Sequence, residues 1–232
     1  MRLPVNNPNF DSNKIISQTV VIDDIPDINY YDSDIPTLLK EDYKFRLKYV
    51  KKVENFVRQS GEYKEYINFL KFNLNMSSCT FFKNLNSDEY EIPVEIHHAP
   101  FTLFDITNIV LEYYLQKGKF FSMFQVANRV TELHYMGCVG LIPLSETVHK
   151  LVHSGDIFIP IQYVYGNIKK FYNMYSPYIE NELISVLEKV IEASRLFNDD
   201  YKPDVLQRKF TYLNIDGMEL PKPIEVEQVN IA

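Results

Sequence analysis

The 232-residue chain has no tryptophan, only seven glycines and only two cysteines. So few glycines, none set as GxGxxG or as a Walker A stretch, leave no glycine-rich phosphate loop. Cys79 and Cys138 form no CxxC pair, which argues against both a disulfide framework and a four-cysteine zinc knuckle. The absence of HExxH removes the usual signature of a zinc protease. The opening "MRLPVNNPNFDSNK" has no apolar signal core, and no apolar run reaches the roughly 18–20 residues that span a bilayer. No membrane partner is expected, and the chain reads as a protein of the cytoplasm. Acid exceeds base, with a net charge of −7 and a pI near 5.3, which disfavours a general nucleic-acid coat.

What remains is a chain rich enough in apolar residues, at 46%, to build a real core. Charge is spread along it, unlike in disordered sequences. The expected fold class is α+β and mostly helical. Residues 1–35 read as an extended arm, 36–197 as a single domain, and 198–232 as an extended tail. A helix is expected over 37–59, with Leu38, Leu39, Phe45, Tyr49, Val53, Phe56 and Val57 at helical spacing. A break at "SGE" precedes a second helix, "EYKEYINFLKFNLN". "SSCTFFKNL" and "EYEIPVEIHH" read as strands, and 102–136 as a helical hairpin capped by Thr102 and Ser122, with Phe124, Ala127, Val130 and Leu133 striping its second helix. "CVGLIPL" is β-like, and "SETVHKLVHSG" is a compact helix between Ser145 and Gly155. Two more helices are expected near 163–174 and 178–196.

Local charge departs from the average. Residues 36–58 hold seven Lys/Arg against three acids, a local balance of +4. Lys44, Lys48, Lys51 and Lys52 are therefore candidate phosphate contacts, and Lys150 is a further one; a solvated helix face explains them equally simply.

The chain has five histidines, and four stand in two clusters: His97–His98 and His149/His153. At i and i+4 on a helix, His149 and His153 share a face and can reach one ion. At a strand end, His97 and His98 point to opposite sides, so one can ligate while the other serves a different purpose. Three ligands and a fourth imidazole that takes a proton from water are the parts of metal-assisted hydrolysis. Glu95 can orient an imidazole from behind. His134 reads as a partly buried or capping histidine of the hairpin, and Asp156, just past the helix, could assist the metal but is not among the candidate ligands.

"EIHH" and "GLIPLSETVHKLVHSG" resemble the two ends of the HNH (ββα-metal) endonuclease motif, most closely its colicin-like HH…HxxxH branch. The resemblance implies one divalent ion (Zn²⁺, Ni²⁺, Mn²⁺ or Mg²⁺) on His97, His149 and His153, His98 as general base, and DNA as substrate. It covers about 93–98 and 139–155. The motif as a whole, about 78–98 and 138–155, is split by the hairpin, expected to project beside the site as a clamp, lid or docking element. The sequence departs from the family pattern at Gly140, where the family has a loop-tying Asn, and at Ser145 and Val148, where many members have cysteines. These departures motivate a second reading: a non-catalytic structural or partner-binding protein that keeps a degenerate metal site. The Asn-, Ile-, Lys- and Tyr-heavy usage resembles that of bacteriophage proteins, which would place it in the host cytoplasm.

Overall fold

The structure, a computed structural model, describes residues 35–82, 93–118 and 121–195. The expected terminal arm and tail, and the first part of the run ending on the paired histidines, lie outside the described residues.

The first expected helix is two. Helix α1 (Ile35–Glu41) stops one residue before α2 (Tyr43–Gln59), because Asp42 caps α2 by accepting the Phe45 N–H at 3.0 Å. Ser60 serves two helices. Its N–H closes α2 onto Phe56 and Val57, and its Oγ caps α3 (Gly61–Asn68) by accepting from Tyr63 N. A π-turn, Phe69–Asn73, extends α3. The α2 stripe is buried as expected at Tyr49, Val53 and Val57, whereas Leu38 is 41% exposed and Leu39 takes the core position.

"SSCTFFKNL" is not a strand over its described part. Thr80 is instead pinned by N–H and Oγ bonds to the Pro143 carbonyl. Strand β1 (Val94–His98) pairs antiparallel with β2 (Leu141–Ser145), His97 opposite Ile142 and His98 opposite Leu141. Between them lie α4 (Leu103–Lys117) and α5 (Met123–Tyr135). Both start on capping boxes, Thr102 with Asp105 and Ser122 with Gln125, and Gly118 ends α4 in the left-handed region at φ 61°.

This inserted hairpin does not project. Both its helices pack on α2, and together they bury Leu103, Ile106, Ile109, Val126, Val130 and Leu133. Burial of that apolar area, at roughly 25 cal/mol per Å², makes the hairpin part of the core. Arg46 braces the contact from α2, reaching Asn108 at 2.9 Å and Glu112 at 2.8 Å on α4. Phe124, expected in the apolar stripe, is 53% exposed and stacks on Phe56 of α2 at 4.9 Å.

Helix α6 (Glu146–Ser154) follows β2 directly and packs against both strands. A short 3₁₀ turn (Ile161–Tyr163), α7 (Ile168–Tyr175), a second 3₁₀ turn (Ser176–Tyr178) and α8 (Asn181–Arg195) complete the described chain. The architecture is thus α+β and mostly helical: a two-stranded antiparallel sheet and its α6 form a ββα unit opened by the hairpin. Among the described residues no helix is long and apolar enough to cross a membrane.

Candidate metal centre

Strand alternation decides which side chains face α6. Glu95 and His97 are two apart on β1 and share a face; His98 takes the other. On α6, His149 and His153 are one turn apart, with their Nε2 atoms 3.0 Å from each other. The His97 ring lies 4.9 Å from that of His149 and 5.2 Å from that of His153, centroid to centroid. One nitrogen from each of the three rings falls within 4.8 Å of the others. Tetrahedral bonds of about 2.0–2.1 Å would need a spacing of roughly 3.3 Å between ligand atoms.

Glu95 meets His149 from behind, its Oε2 2.5 Å from Nδ1. That contact puts the ring proton on Nδ1 and turns the Nε2 lone pair of His149 toward His153, the arrangement of a carboxylate-backed ligand. The pKa of His97 is pushed down to about 4, first by burial and then by the neighbouring His149, His153 and Arg58. Its ring is therefore neutral at pH 7, the form that ligates a cation. The donor set fits a divalent transition ion: three imidazoles, one backed by a carboxylate, on an open cleft.

His98 is not the free ring that the sequence suggested. The strand turns it inward, where it is 5% exposed, with its Nε2 2.9 Å from Nε2 of His134 on α5. The Tyr63 ring lies parallel to it at 6.4 Å. Burial first, then His134, Arg58 and His97, hold its pKa well below the ordinary value. His134 is fully buried, its Nδ1 2.7 Å from the Val130 carbonyl, and its pKa is pushed down to about 4, mainly by burial.

The three candidate ligands, His98 and Glu95 line one cleft of about 440 Å³. Two cations that the sequence reading did not single out also line it. Arg58 closes α2 and pairs with Glu54 at 2.8 Å; Lys71, on the π-turn, donates to the Val94 carbonyl at 2.8 Å. Arg58 was detectable in principle: it continues the i, i+4, i+7 face of Lys44, Lys48 and Lys51 by two further turns. Those three lysines and Lys52 are exposed, with Lys52 about a quarter-turn round the helix. Lys150 is exposed and ion-paired with Glu146.

Gly140 leaves no place for the motif's Asn. A Cβ there would stand 1.9 Å from the Ala99 carbonyl oxygen and 2.7 Å from Ile168 Cδ1. Backbone bonds tie the loop instead: Ala99 N–H to the Gly140 carbonyl at 3.1 Å, Asn167 N–H to that of Gly137 at 2.7 Å, and a reciprocal pair between Leu141 and Tyr165. Ser145 and Val148 are both buried, as are the unpaired Cys79 and Cys138.

No curated protein and no solved structure matches the chain significantly. The profile of a virion protein family does match, over residues 5–219, and nothing in these comparisons supports membership of the HNH endonucleases. Spanning nearly the whole sequence, that match means the chain belongs to the bacteriophage G278-like virion protein family.

Proposed function

We propose that this virion protein carries a divalent transition-metal centre on His97, His149 and His153 and uses it to hydrolyse nucleic-acid phosphodiesters, most naturally DNA. One observation carries the reading: three imidazoles converge on a single point inside an open cleft that Arg58 and Lys71 also line. Structural zinc sites close their fourth position with a protein ligand, whereas catalytic ones leave it open.

The chain's own residues divide the work. Glu95 fixes the His149 ring, and burial keeps His97 neutral and ligating. Arg58 and Lys71 offer positive charge to a phosphate entering the cleft. The exposed face of Lys44, Lys48 and Lys51 extends that charge along α2. His98 accepts the proton of the attacking water through its second ring nitrogen. A bound divalent ion supplies Lewis-acid stabilisation of charge developing on the phosphate and the leaving oxygen. Imidazole donors favour Zn²⁺, Ni²⁺ or Mn²⁺ over Mg²⁺.

A second reading is a virion component in which the centre is structural and nothing is cleaved. It is favoured by the virion family match and by the inward-facing His98. A plasmid-nicking and RNA-cleavage assay across a metal series, with EDTA controls, separates the two. The hydrolase reading expects metal-dependent cleavage, lost in His98→Ala with metal stoichiometry intact and lost together with the metal in His149→Ala. Full metal loading with no cleavage of either nucleic acid would leave the structural reading standing.

A further inference from the structure

His98 comes from β1 and His134 from α5 of the inserted hairpin, and the two meet nitrogen to nitrogen in the interior. Their hydrogen placement follows from donor and acceptor logic. The Val130 carbonyl can only accept, so the His134 nitrogen 2.7 Å from it, Nδ1, carries the proton. In a neutral ring the other nitrogen, Nε2, then holds a lone pair. Two lone pairs do not meet at 2.9 Å, so His98 supplies the hydrogen from its own Nε2. The His98 lone pair is thereby confined to Nδ1.

We infer that His134 is a positioning residue: it locks His98 as the Nε2–H tautomer and so fixes Nδ1 as the one ring nitrogen able to take a proton. Tyr63 and Tyr66 hold the His134 ring by their edges, at 5.3 and 5.7 Å between centroids. The chain Val130 carbonyl, His134, His98 thus runs from a helix backbone to a side chain lining the cleft. The inserted hairpin acquires a chemical role that its apolar packing alone does not give. The kinetic consequence rests on the hydrolase reading; the tautomer does not.

The test uses the ¹⁵N-labelled full chain, both EDTA-treated and Zn²⁺-loaded, and records long-range ¹H–¹⁵N correlations of the histidine rings. Protonated-type shifts are expected at His98 Nε2 and His134 Nδ1, with lone-pair-type shifts at the other two nitrogens. His134→Gln keeps an acceptor near the Nε2 position and should preserve the His98 pattern. His134→Leu removes the acceptor, and the His98 ring should then average between tautomers. In a cleavage assay, kcat should fall severalfold in His134→Leu, with KM and zinc affinity unchanged, and recover in His134→Gln. Should His134→Leu fail to fold, the wild-type spectrum and His134→Gln still decide. A His98 ring protonated on Nδ1, or already averaging in the wild type, overturns the inference. So does a Gln variant as impaired as Leu. A locked tautomer in a protein that cleaves nothing refutes the hydrolase reading and leaves the tautomer assignment in place.

Discussion

Replacing Glu95 by glutamine should weaken the proposed metal centre without dismantling it. The carboxylate sits 2.5 Å from His149 Nδ1 and is half-exposed, so its removal leaves no buried cavity. It removes the charge that polarises the ring and leaves only a neutral amide oxygen to accept from Nδ1. Losing such a backing partner typically costs about 10- to 100-fold in metal affinity. With free Zn²⁺ at 100 times the wild-type dissociation constant, binding adds about 2.7 kcal/mol to native stability. At the same concentration the variant would gain only about 1.4 kcal/mol after a tenfold loss and about 0.4 kcal/mol after a hundredfold loss. For a chain of this length each kcal/mol moves Tm by about 2–4 °C. The wild type should therefore rise by about 5–11 °C on zinc addition, and Glu95→Gln by about 1–6 °C. His149→Ala, which removes a ligand, should show no specific rise. Calorimetric scans of EDTA-stripped protein against a zinc series measure all three. Equal rises in wild type, Glu95→Gln and His149→Ala would show that zinc binds elsewhere, and the centre described above would be refuted.

Further expectations concern acid, packing and salt. Without metal, burial holds the folded pKa of His134 at about 4 and that of His98 well below its ordinary value, so the unfolded chain, with values near 6.5, binds more protons as pH falls below about 6.5. Their contribution is thus complete above about pH 6.5 and lost as pH falls, by about 1.4 kcal/mol per pH unit for each ring that stays neutral. Urea unfolding in EDTA at pH 7, 6 and 5 checks this, and flat stability across that window contradicts it. Gly140→Ala should cost about 3 kcal/mol by chemical denaturation, the upper end for overpacked interiors, because its Cβ would lie 1.9 Å from a carbonyl oxygen; a loss below about 1 kcal/mol would disprove the tight approach. Neutralising Lys44, Lys48 and Lys51 to glutamine should flatten the plot of log affinity for duplex DNA against log salt by about 0.9 per lost phosphate contact. Lys52→Gln alone, being at the edge of that face, should have a smaller effect, and an effect as large as that of the triple variant would exclude a track along the Arg58 face.

The helices were legible in the sequence because their caps are local: Thr102, Ser122 and Ser60 each bond within three residues. The ββα unit was legible for a similar reason, since strand alternation and i, i+4 spacing are fixed by backbone geometry. What sequence could not supply depends on distant packing. Asp42 reads as one more charge in a basic helix until its cap splits that helix in two. His134 reads as an ordinary hairpin residue, since its partner lies 36 positions away. Gly140 reads as a missing Asn, whereas the approach of Ala99 and Ile168 leaves no free space for a side chain there.

The strands that meet in the sheet are separated by 42 residues, 99 through 140. Compared with a four-residue turn, closing that span adds about 2 kcal/mol of chain entropy, which nothing offsets until the two intervening helices have condensed on α2. A growing chain therefore owns its first imidazole pair long before it owns the last, and no cation can be gripped from both sides until the interior is assembled. Zinc uptake should lag behind helix formation in a refolding experiment, making the ion a witness to completed assembly rather than its seed.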